Sequence, residues 1–245
     1  MTPFFMAWGM FWIVPCPYRH WDSSRYAQML ACLPLIGLLI GGVWALCAFL
    51  LDALGAPRLF AGAVLSAVPW LMTGFIHLDG YMDCSDAVLS RRDREERIRI
   101  LKDSHVGSFA VIMLVLLVLL TFSLLAGADT RGKYLCLTCI PACTRCVSAM
   151  CVLMFRKLGT SSYARLERSA QERRAALACA LMLVIFAALP VLLCGRAGLC
   201  AAVGAVGCIL TILSVRRDLG GMSGDISGCG ITVGEMCACA ALSLL

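Results

Sequence analysis

The chain has 245 residues, of which 61% are hydrophobic and only 15% are charged, and its mean hydropathy is +0.88. Soluble domains average about 45–50% apolar and about 25% charged residues, so this composition excludes a disordered chain and argues against a soluble globular enzyme. The net charge of +6 could suggest nucleic-acid binding. In a membrane protein, however, the distribution of charge matters more than its sum. We predict a polytopic membrane protein and expect no nucleic-acid partner.

The apolar stretches define the predicted elements in chain order. The first dozen residues are aromatic but short, which is typical of an interfacial helix rather than a span. Seven stretches of about 18–23 residues follow, each long enough to cross a bilayer as a helix. They cover residues 29–51, 59–76, 107–128, 134–155, 175–194, 197–215 and 226–245. The sequence therefore predicts an all-α fold, a transmembrane bundle of about seven spans plus an N-terminal interfacial helix, forming one integral membrane domain over 1–245.

Basic residues predict the orientation of this bundle. Sixteen of the 21 Lys and Arg fall on one set of connections, four fall on the other set, and Arg145 lies inside a span. The basic set comprises the residues before the first span and the segments 77–106, 156–174 and 216–225. The positive-inside rule places this set in the cytoplasm. An odd number of spans would then place the C-terminus on the other side, although the last stretch is the weakest because it contains Glu235.

Sixteen cysteines raise the question of a metal site or a disulfide framework. Most lie in apolar runs, where cysteine behaves as a small hydrophobic residue. Cys136, Cys139, Cys143 and Cys146 share one helix face, a pattern that four metal-bound thiolates would also give. Because this run is apolar and metal ligands usually come from turns, we expect these four to be packing residues.

Three carboxylates directly follow the second apolar stretch. Asp79, Asp83 and Asp86 stand at i, i+4 and i+7, which places them on one face of a helix. Like charges stacked in this way repel one another, whereas a Mg²⁺ site would explain them, because Mg²⁺ binds carboxylates together with substrate phosphates. Gly80 would let a backbone or a phosphate approach closely. The alternative interpretation is a solvated acidic loop at the membrane edge.

Further polar residues surround this helix in the sequence. The mixed-charge run 91–99 predicts an exposed, salt-bridged helix, with an arginine grip on an anionic substrate as the alternative. Lys102, Asp103 and Ser104 lie at the mouth of the next span, where a cation and a hydroxyl suit a phosphate or diphosphate.

Two more positions stand out in the later spans. Arg145 sits within a span, where a charge is expensive, and it indicates either a functional residue or an ion pair with Glu235. Gly221, Ser223 and Asp225 lie at a cytoplasmic span mouth. They either complete the phosphate or metal site or form an ordinary turn and helix cap.

These residues resemble four motifs of the cobalamin synthase family, the adenosylcobinamide-GDP ribazoletransferases. Residues 73–86 (TGFIHLDGYMDCSD) are similar to the family's T-G-G-x-H-L-D-G-x-x-D-x-x-D, with Phe75 in place of the second glycine. Residues 100–107 (ILKDSHVG) resemble I-M-K-D-S-x-x-G, and residues 34–41 (PLIGLLIG) resemble P-L-x-G-x-x-x-G. Residues 220–225 (GGMSGD) resemble G-G-x-T-G-D, where serine keeps the hydroxyl. The motifs occur in the family's order over nearly the whole chain.

The resemblance implies a reaction, a cofactor and a location. Adenosylcobinamide-GDP and α-ribazole would give adenosylcobalamin and GMP, and α-ribazole 5′-phosphate would give adenosylcobalamin 5′-phosphate. The family works with Mg²⁺ in the bacterial inner membrane, so the implied partners are these substrates and membrane lipid, and the implied active site faces the cytoplasm. A homo-oligomer, or association with other cobalamin-assembly enzymes, stays open.

The resemblance and the residue chemistry together assign roles within the predicted catalytic segment 77–106 and beyond it. Asp79, Asp83 and Asp86 are the expected metal ligands, and one of them or His77 would take the proton from the attacking ribose hydroxyl. Lys102 would lie near the leaving phosphate, and Asp103 would position substrate or complete the metal shell. The expected substrate-binding residues are Gly80, Ser104, Arg145, Gly221, Ser223 and Asp225.

Two other functions fit parts of the pattern. A CDP-alcohol phosphotransferase also carries spaced aspartates beside spans, but its D-G-x-x-A-R motif would need Ala-Arg where Met82 and Asp83 stand. A transporter would explain charged residues inside spans, but transporter sites usually lie near the midplane, and these carboxylates cluster at a predicted cytoplasmic mouth.

Overall fold

The computed structural model describes residues 2–159 and 169–245, and within them the chain is helical, with one isolated bridge between Lys157 and Met222. The predicted all-α fold is confirmed for these residues. Residues 160–168, part of the basic connection 156–174, lie outside the described residues. The α-helices of the described part are α1 (Thr2–Phe11), α2 (Tyr26–Ala53), α3 (Arg58–Met72), α4 (Ile76–Leu89), α5 (Arg94–Leu101), α6 (Ser108–Gly127), α7 (Tyr134–Met154), α8 (Ala170–Cys194), α9 (Leu199–Leu219) and α10 (Gly224–Leu244).

Each of the seven predicted apolar stretches falls on a helix, namely α2, α3, α6, α7, α8, α9 and α10. By length and composition, five helical segments of the described chain can cross a membrane, with Ala170–Leu219 counted as one. The count becomes six if α3 and α4, which meet at 92°, form one broken span. The predicted number of about seven spans is therefore not confirmed.

The second predicted stretch ends earlier than expected. Helix α3 stops at Met72, and the chain turns through Gly74 and Phe75, which have φ angles of 60° and 65°. Phe75 adopts this left-handed conformation without being glycine, which is uncommon for a bulky residue. After the turn the chain continues as α4, so the carboxylates lie on a second helix angled away from α3.

Glycines let α2 and α7 pack with their backbones in contact. A Cβ atom on Gly37 would lie 2.6 Å from the carbonyl oxygen of Pro141, and one on Gly41 would meet the backbone of Thr138. Small residues four apart allow this close approach between membrane helices. The early motif PLIGLLIG is thus a packing motif in this structure.

The interior and the outer surface are both apolar. The cysteines predicted to be packing residues are buried, at 0 or 1% exposure, and they are free thiols, in agreement with that prediction: Cys136, Cys139, Cys143 and Cys146. On the outside, Leu119, Ile185 and Leu210 are 55, 57 and 61% exposed. Such a wide apolar surface suits lipid contact rather than water.

Two cavities lie at opposite ends of the bundle, each lined by residues from several connecting segments. One, of about 350 Å³, is lined by residues from the start of α2, the end of α5, the end of α7 and the start of α10. The other, of about 170 Å³, is lined by residues from 51–65 and 125–131. The four segments that the charge distribution assigns to one side therefore meet at one end.

The N-terminal helix lies against the bend between α3 and α4. Met6 and Ala7 are buried against α2. The amide of Ile13 donates a 2.8 Å hydrogen bond to the carbonyl of Met72, and the ring of Phe11 stacks on His77 at 6.0 Å. The predicted short N-terminal helix is present, and these contacts hold it to the start of α4.

Candidate active site

The carboxylates of α4 are joined by a fourth from α10. A Cβ atom on Gly80 would lie 2.7 Å from the carbonyl oxygen of Asp225, so the first turn of α10 rests directly on α4. The side chain of Asp83 is within electrostatic range of Asp79, Asp86 and Asp225. Asp79, Asp83, Asp86 and Asp225 form what we call the carboxylate cluster. The space above Gly80 is occupied by backbone, so the expectation that a phosphate binds there is not supported.

Asp86 also caps a helix, a role that was not predicted from the sequence. Its two oxygens accept hydrogen bonds from the amides of Gly107 at 2.7 Å and Ala110 at 3.0 Å, which caps the N-terminus of α6. A carboxylate is favourable at this end of a helix because it satisfies free amides and complements the helix dipole. A Cβ atom on Gly107 would lie 2.5 Å from Oδ1 of Asp86. The glycine that ends the motif ILKDSHVG is therefore the partner of Asp86.

The donor set of the carboxylate cluster fits Mg²⁺ by its chemistry. It offers only oxygen atoms, the ligands that hard divalent cations prefer. The salt bridges found in the described part of the chain involve none of the four carboxylates. As they stand in residues 2–159 and 169–245, no three His, Cys, Asp or Glu side chains are arranged to hold a metal ion. The cluster supplies suitable ligands but not a preformed cage.

The turn after α5 separates the predicted residues Lys102, Asp103 and Ser104. Lys102 lines the 350 Å³ cavity together with Asp225. Asp103 instead accepts hydrogen bonds from the backbone amide of His105 at 3.0 Å and from its Nδ1 at 2.6 Å. These bonds from His105 hold the pKa of Asp103 below its ordinary value. Ser104 is exposed on the same turn. The structure thus brings Lys102, and not Asp103, to the carboxylate cluster.

Helix α5 carries the charges that precede this turn. Arg99 pairs with Glu96 at 2.6 Å, Arg97 lies 3.8 Å from Asp218, and Asp93 caps the first turn. The predicted exposed, salt-bridged helix is confirmed.

The glycine-rich turn before α10 forms a cap and a packing contact. The hydroxyl of Ser223 accepts the amide of Ile226 at 3.3 Å and lies 3.3 Å from Oδ2 of Asp225, so the helix-cap alternative is confirmed. A Cβ atom on Gly221 would lie 2.5 Å from the Cα atom of Leu158. Gly221 therefore makes room for the chain after α7 rather than for a substrate.

This packing places Lys157, for which no role was predicted from the sequence, in the same cavity. The amide of Met222 bonds to the carbonyl of Arg156 at 2.7 Å, and the amide of Leu158 bonds to the carbonyl of Met222 at 2.9 Å. Tyr26, at the start of α2, also lines the cavity. Lys157 and Tyr26 are far apart in the sequence and share no motif. The only sequence signal that relates them is that both lie in connections assigned to the basic side.

His77 faces away from the carboxylate cluster. Successive residues of an α-helix are about 100° apart, so His77 and Asp79 point to nearly opposite faces of α4. His77 is 6% exposed, its carbonyl accepts the hydroxyl of Thr232 at 3.1 Å, and within the described residues its Nε2 has no hydrogen-bond partner. The structure does not bring His77 to the place where a ribose hydroxyl would meet the carboxylates.

Arg145 lies in the closed core. Its side chain has no exposed surface, and its Nη1 lies 2.6 Å from Oε1 of Glu235 and 3.1 Å from the carbonyl of Pro141. The ion-pair alternative is confirmed. The expectation that Arg145 binds substrate is not supported, because a substrate at the cavity has no access to it.

These features define a polytopic helical membrane protein with a carboxylate and lysine site at its basic end, a combination suited to phosphate-linked substrates. The sequence profile of the Cobalamin-5-phosphate synthase family matches residues 3–243. The chain belongs to this family.

Named relatives support the same assignment. An adenosylcobinamide-GDP ribazoletransferase of Clostridium perfringens (strain 13 / Type A) is 36% identical over 226 residues, which cover 91% of this chain and 90% of the relative. The protein of the same name from Clostridium botulinum (strain Alaska E43 / Type E3) is 32% identical, covering 94% of this chain and 92% of the relative. That of Desulfitobacterium hafniense (strain Y51) is 34% identical, covering 91% and 89%. No solved structure gives a significant match.

Proposed function

We propose that this chain is an adenosylcobinamide-GDP ribazoletransferase that uses Mg²⁺ at the carboxylate cluster. It transfers the adenosylcobinamide-phosphate group of adenosylcobinamide-GDP to α-ribazole, giving adenosylcobalamin and GMP, or to α-ribazole 5′-phosphate, giving adenosylcobalamin 5′-phosphate. Family membership over residues 3–243 supports the reaction. The main structural support for the proposed metal and phosphate site is the proximity of Asp225 to the three carboxylates of α4 and to Lys102.

The reaction exchanges one phosphorus–oxygen bond for another. A ribose hydroxyl oxygen bonds to the phosphorus that carries cobinamide, and the bond between this phosphorus and the oxygen of GMP breaks. When bound, Mg²⁺ supplies positive charge to the diphosphate oxygens. Asp79, Asp83 and Asp225 would hold it, and Asp86 would add an oxygen while it caps α6.

The protein's own groups handle the proton and the leaving phosphate. A carboxylate of the cluster takes the hydroxyl proton, because His77 is buried on the other face of α4. The ammonium of Lys102 stabilises the negative charge that develops on GMP. We place this site on the cytoplasmic side of the bacterial inner membrane, because the connections around it are the basic ones.

Membranes that contain the chain, incubated with labelled adenosylcobinamide-GDP and α-ribazole, test this proposal. We expect GMP release and cobalamin formation that chelation of divalent cations abolishes. Asp83→Asn should lower turnover by about 10²–10³-fold, the size of effect seen when one electrostatic contact to a transition state is lost.

Glu95→Gln, on the exposed face of α5, is the matched control and should turn over normally. Near-normal turnover by Asp83→Asn at saturating Mg²⁺ would contradict the metal assignment. Absence of GMP release by the unmodified chain, under conditions that activate a relative, would contradict the reaction itself.

A further inference from the structure

Two lysines from distant parts of the chain meet in the 350 Å³ cavity beside the carboxylate cluster. Lys102 comes from the end of α5 and Lys157 from the segment after α7. Ser223 and Asp225 form the wall that leads to the cluster, and Tyr26 forms another wall. We call these five residues the two-lysine pocket.

Packing fixes the position of Lys157. The backbone bridge to Met222 holds this residue beside the first turn of α10, and Gly221 leaves room for it. Its Nζ atom lies 5.6 Å from the centre of the Tyr26 ring. A cation over an aromatic ring is attracted to it, so Tyr26 keeps the ammonium at the pocket.

We propose that the two-lysine pocket binds the guanosine monophosphate half of the substrate, with its phosphate between Lys102 and Lys157 and with Tyr26 as a positioning residue. This inference rests on the proposed function. Lysine is a common phosphate-binding residue, and a hydrogen bond from a charged donor is about twice as strong as a neutral one. The hydroxyl of Ser223 donates to Oδ2 of Asp225, so the two ammonium groups are the donors that the pocket offers to the phosphate.

The size of the pocket selects this half of the substrate. Ligand pockets span about 300–1,000 Å³, and a cavity of about 350 Å³ is at the lower end, where a mononucleotide fits. The corrin ring is several times larger and has to lie outside. Asp225 belongs both to the pocket wall and to the carboxylate cluster, so a phosphate held in the pocket lies next to the cluster. The product GMP then leaves from the two-lysine pocket.

Binding of labelled GMP to the full-length purified protein in lipid nanodiscs, with Mg²⁺ present, tests the proposal without requiring turnover. We expect Lys157→Gln to weaken GMP binding about tenfold or more and Lys157→Arg to restore most of it. Lys133→Gln is the matched control, since Lys133 precedes α7 at the opposite end of the bundle. Tyr26→Phe should bind GMP normally, whereas Tyr26→Leu should bind it more weakly.

Competition identifies which phosphate the pocket takes. GMP should displace the label far better than inorganic phosphate, and Lys157→Gln should leave the affinity for α-ribazole 5′-phosphate unchanged. Equal GMP affinity in Lys157→Gln and Lys133→Gln, or no GMP binding by the unmodified protein, would overturn the proposal. A loss confined to α-ribazole 5′-phosphate would assign the pocket to the other substrate and overturn it too. If the unmodified protein still forms cobalamin in these cases, the proposed function stands and only this inference fails.

Discussion

Asp83 and Asp86 lie one turn apart on α4, and the structure gives them different surroundings. Asp83 faces the negative charges of three other carboxylates, whereas Asp86 accepts two amides at the start of α6. An aspartate of the first kind destabilises the free protein, because like charges repel. An aspartate of the second kind stabilises it. Both belong to one motif, so the sequence pattern alone does not separate them.

We therefore expect Asp83→Asn and Asp86→Asn to differ in stability although both lower activity. Asn at 83 removes repulsion, so the melting temperature without Mg²⁺ should stay level or rise. Asn at 86 keeps only one acceptor oxygen and leaves an amide of α6 unpaired, which should cost about 0.5–2 kcal/mol. Thermal unfolding of the purified protein in metal-free buffer measures this. Equal melting temperatures for the two variants would contradict the capping role of Asp86.

Substitutions of Arg145 and its partner Glu235 test whether Arg145 has a structural or a catalytic role. Arg145→Met leaves Glu235 buried without its partner and should cost about 3–5 kcal/mol, whereas Arg145→Met with Glu235→Met should recover most of the stability. The two atoms of the pair are 2.6 Å apart in a closed core. We expect the double variant to be folded and active when melting temperature and GMP release are both measured. A folded but inactive double variant would show that Arg145 acts in the reaction.

Between elements, the contact of α4 with α10 decides whether the carboxylate cluster forms. We expect Gly80→Ala to destabilise the protein by about 1–3 kcal/mol, the usual cost of overpacking, because the new methyl meets backbone atoms of Asp225 at 2.7 and 2.8 Å. Turnover per folded molecule should also fall, because Asp225 moves away from Asp83. Gly42→Ala on α2 is the control, as a Cβ atom there meets nothing within 4 Å. Normal stability and turnover in Gly80→Ala would refute this role of the contact.

The helices were predictable because length and hydropathy are local properties of the sequence. The spacing of Asp79, Asp83 and Asp86 likewise fixed their common face before any contact was known. The bend at Gly74 and Phe75, the cap formed by Asp86, and the entry of Lys157 into the pocket were not predictable. Each depends on contacts between residues more than twenty positions apart, or on a left-handed conformation that Phe75 rarely adopts.

At the scale of the whole molecule, most Lys and Arg belong to one set of connections, and the described parts of these connections meet at one end of the bundle. The basic connections meet at the two-lysine pocket, while Asp52 accepts hydrogen bonds from Thr130 and Tyr134, both at 3.0 Å, towards the other end. The substrates are polar and large, so they have to approach from the aqueous phase at the end of the bundle where the pocket lies. The sidedness of the bundle therefore decides which compartment supplies both substrates.

The side of the membrane on which Leu245 lies tests this orientation. If α3 and α4 cross as one broken span and α8 and α9 cross separately, the chain crosses seven times and Leu245 lies opposite the two-lysine pocket. We expect alkaline phosphatase fused after Leu245 to be active and a green fluorescent protein fused there to be dark in a bacterial host. Fusions after His105 should behave in the opposite way, because the basic segment before it stays in the cytoplasm. If α8 and α9 instead formed one crossing, the number would be even, and Leu245 would share the side of Lys102. A fluorescent fusion at both positions would therefore reject seven crossings. Because α10 would then begin on the side opposite Lys102, this result would also contradict the shared cavity of Lys102 and Asp225.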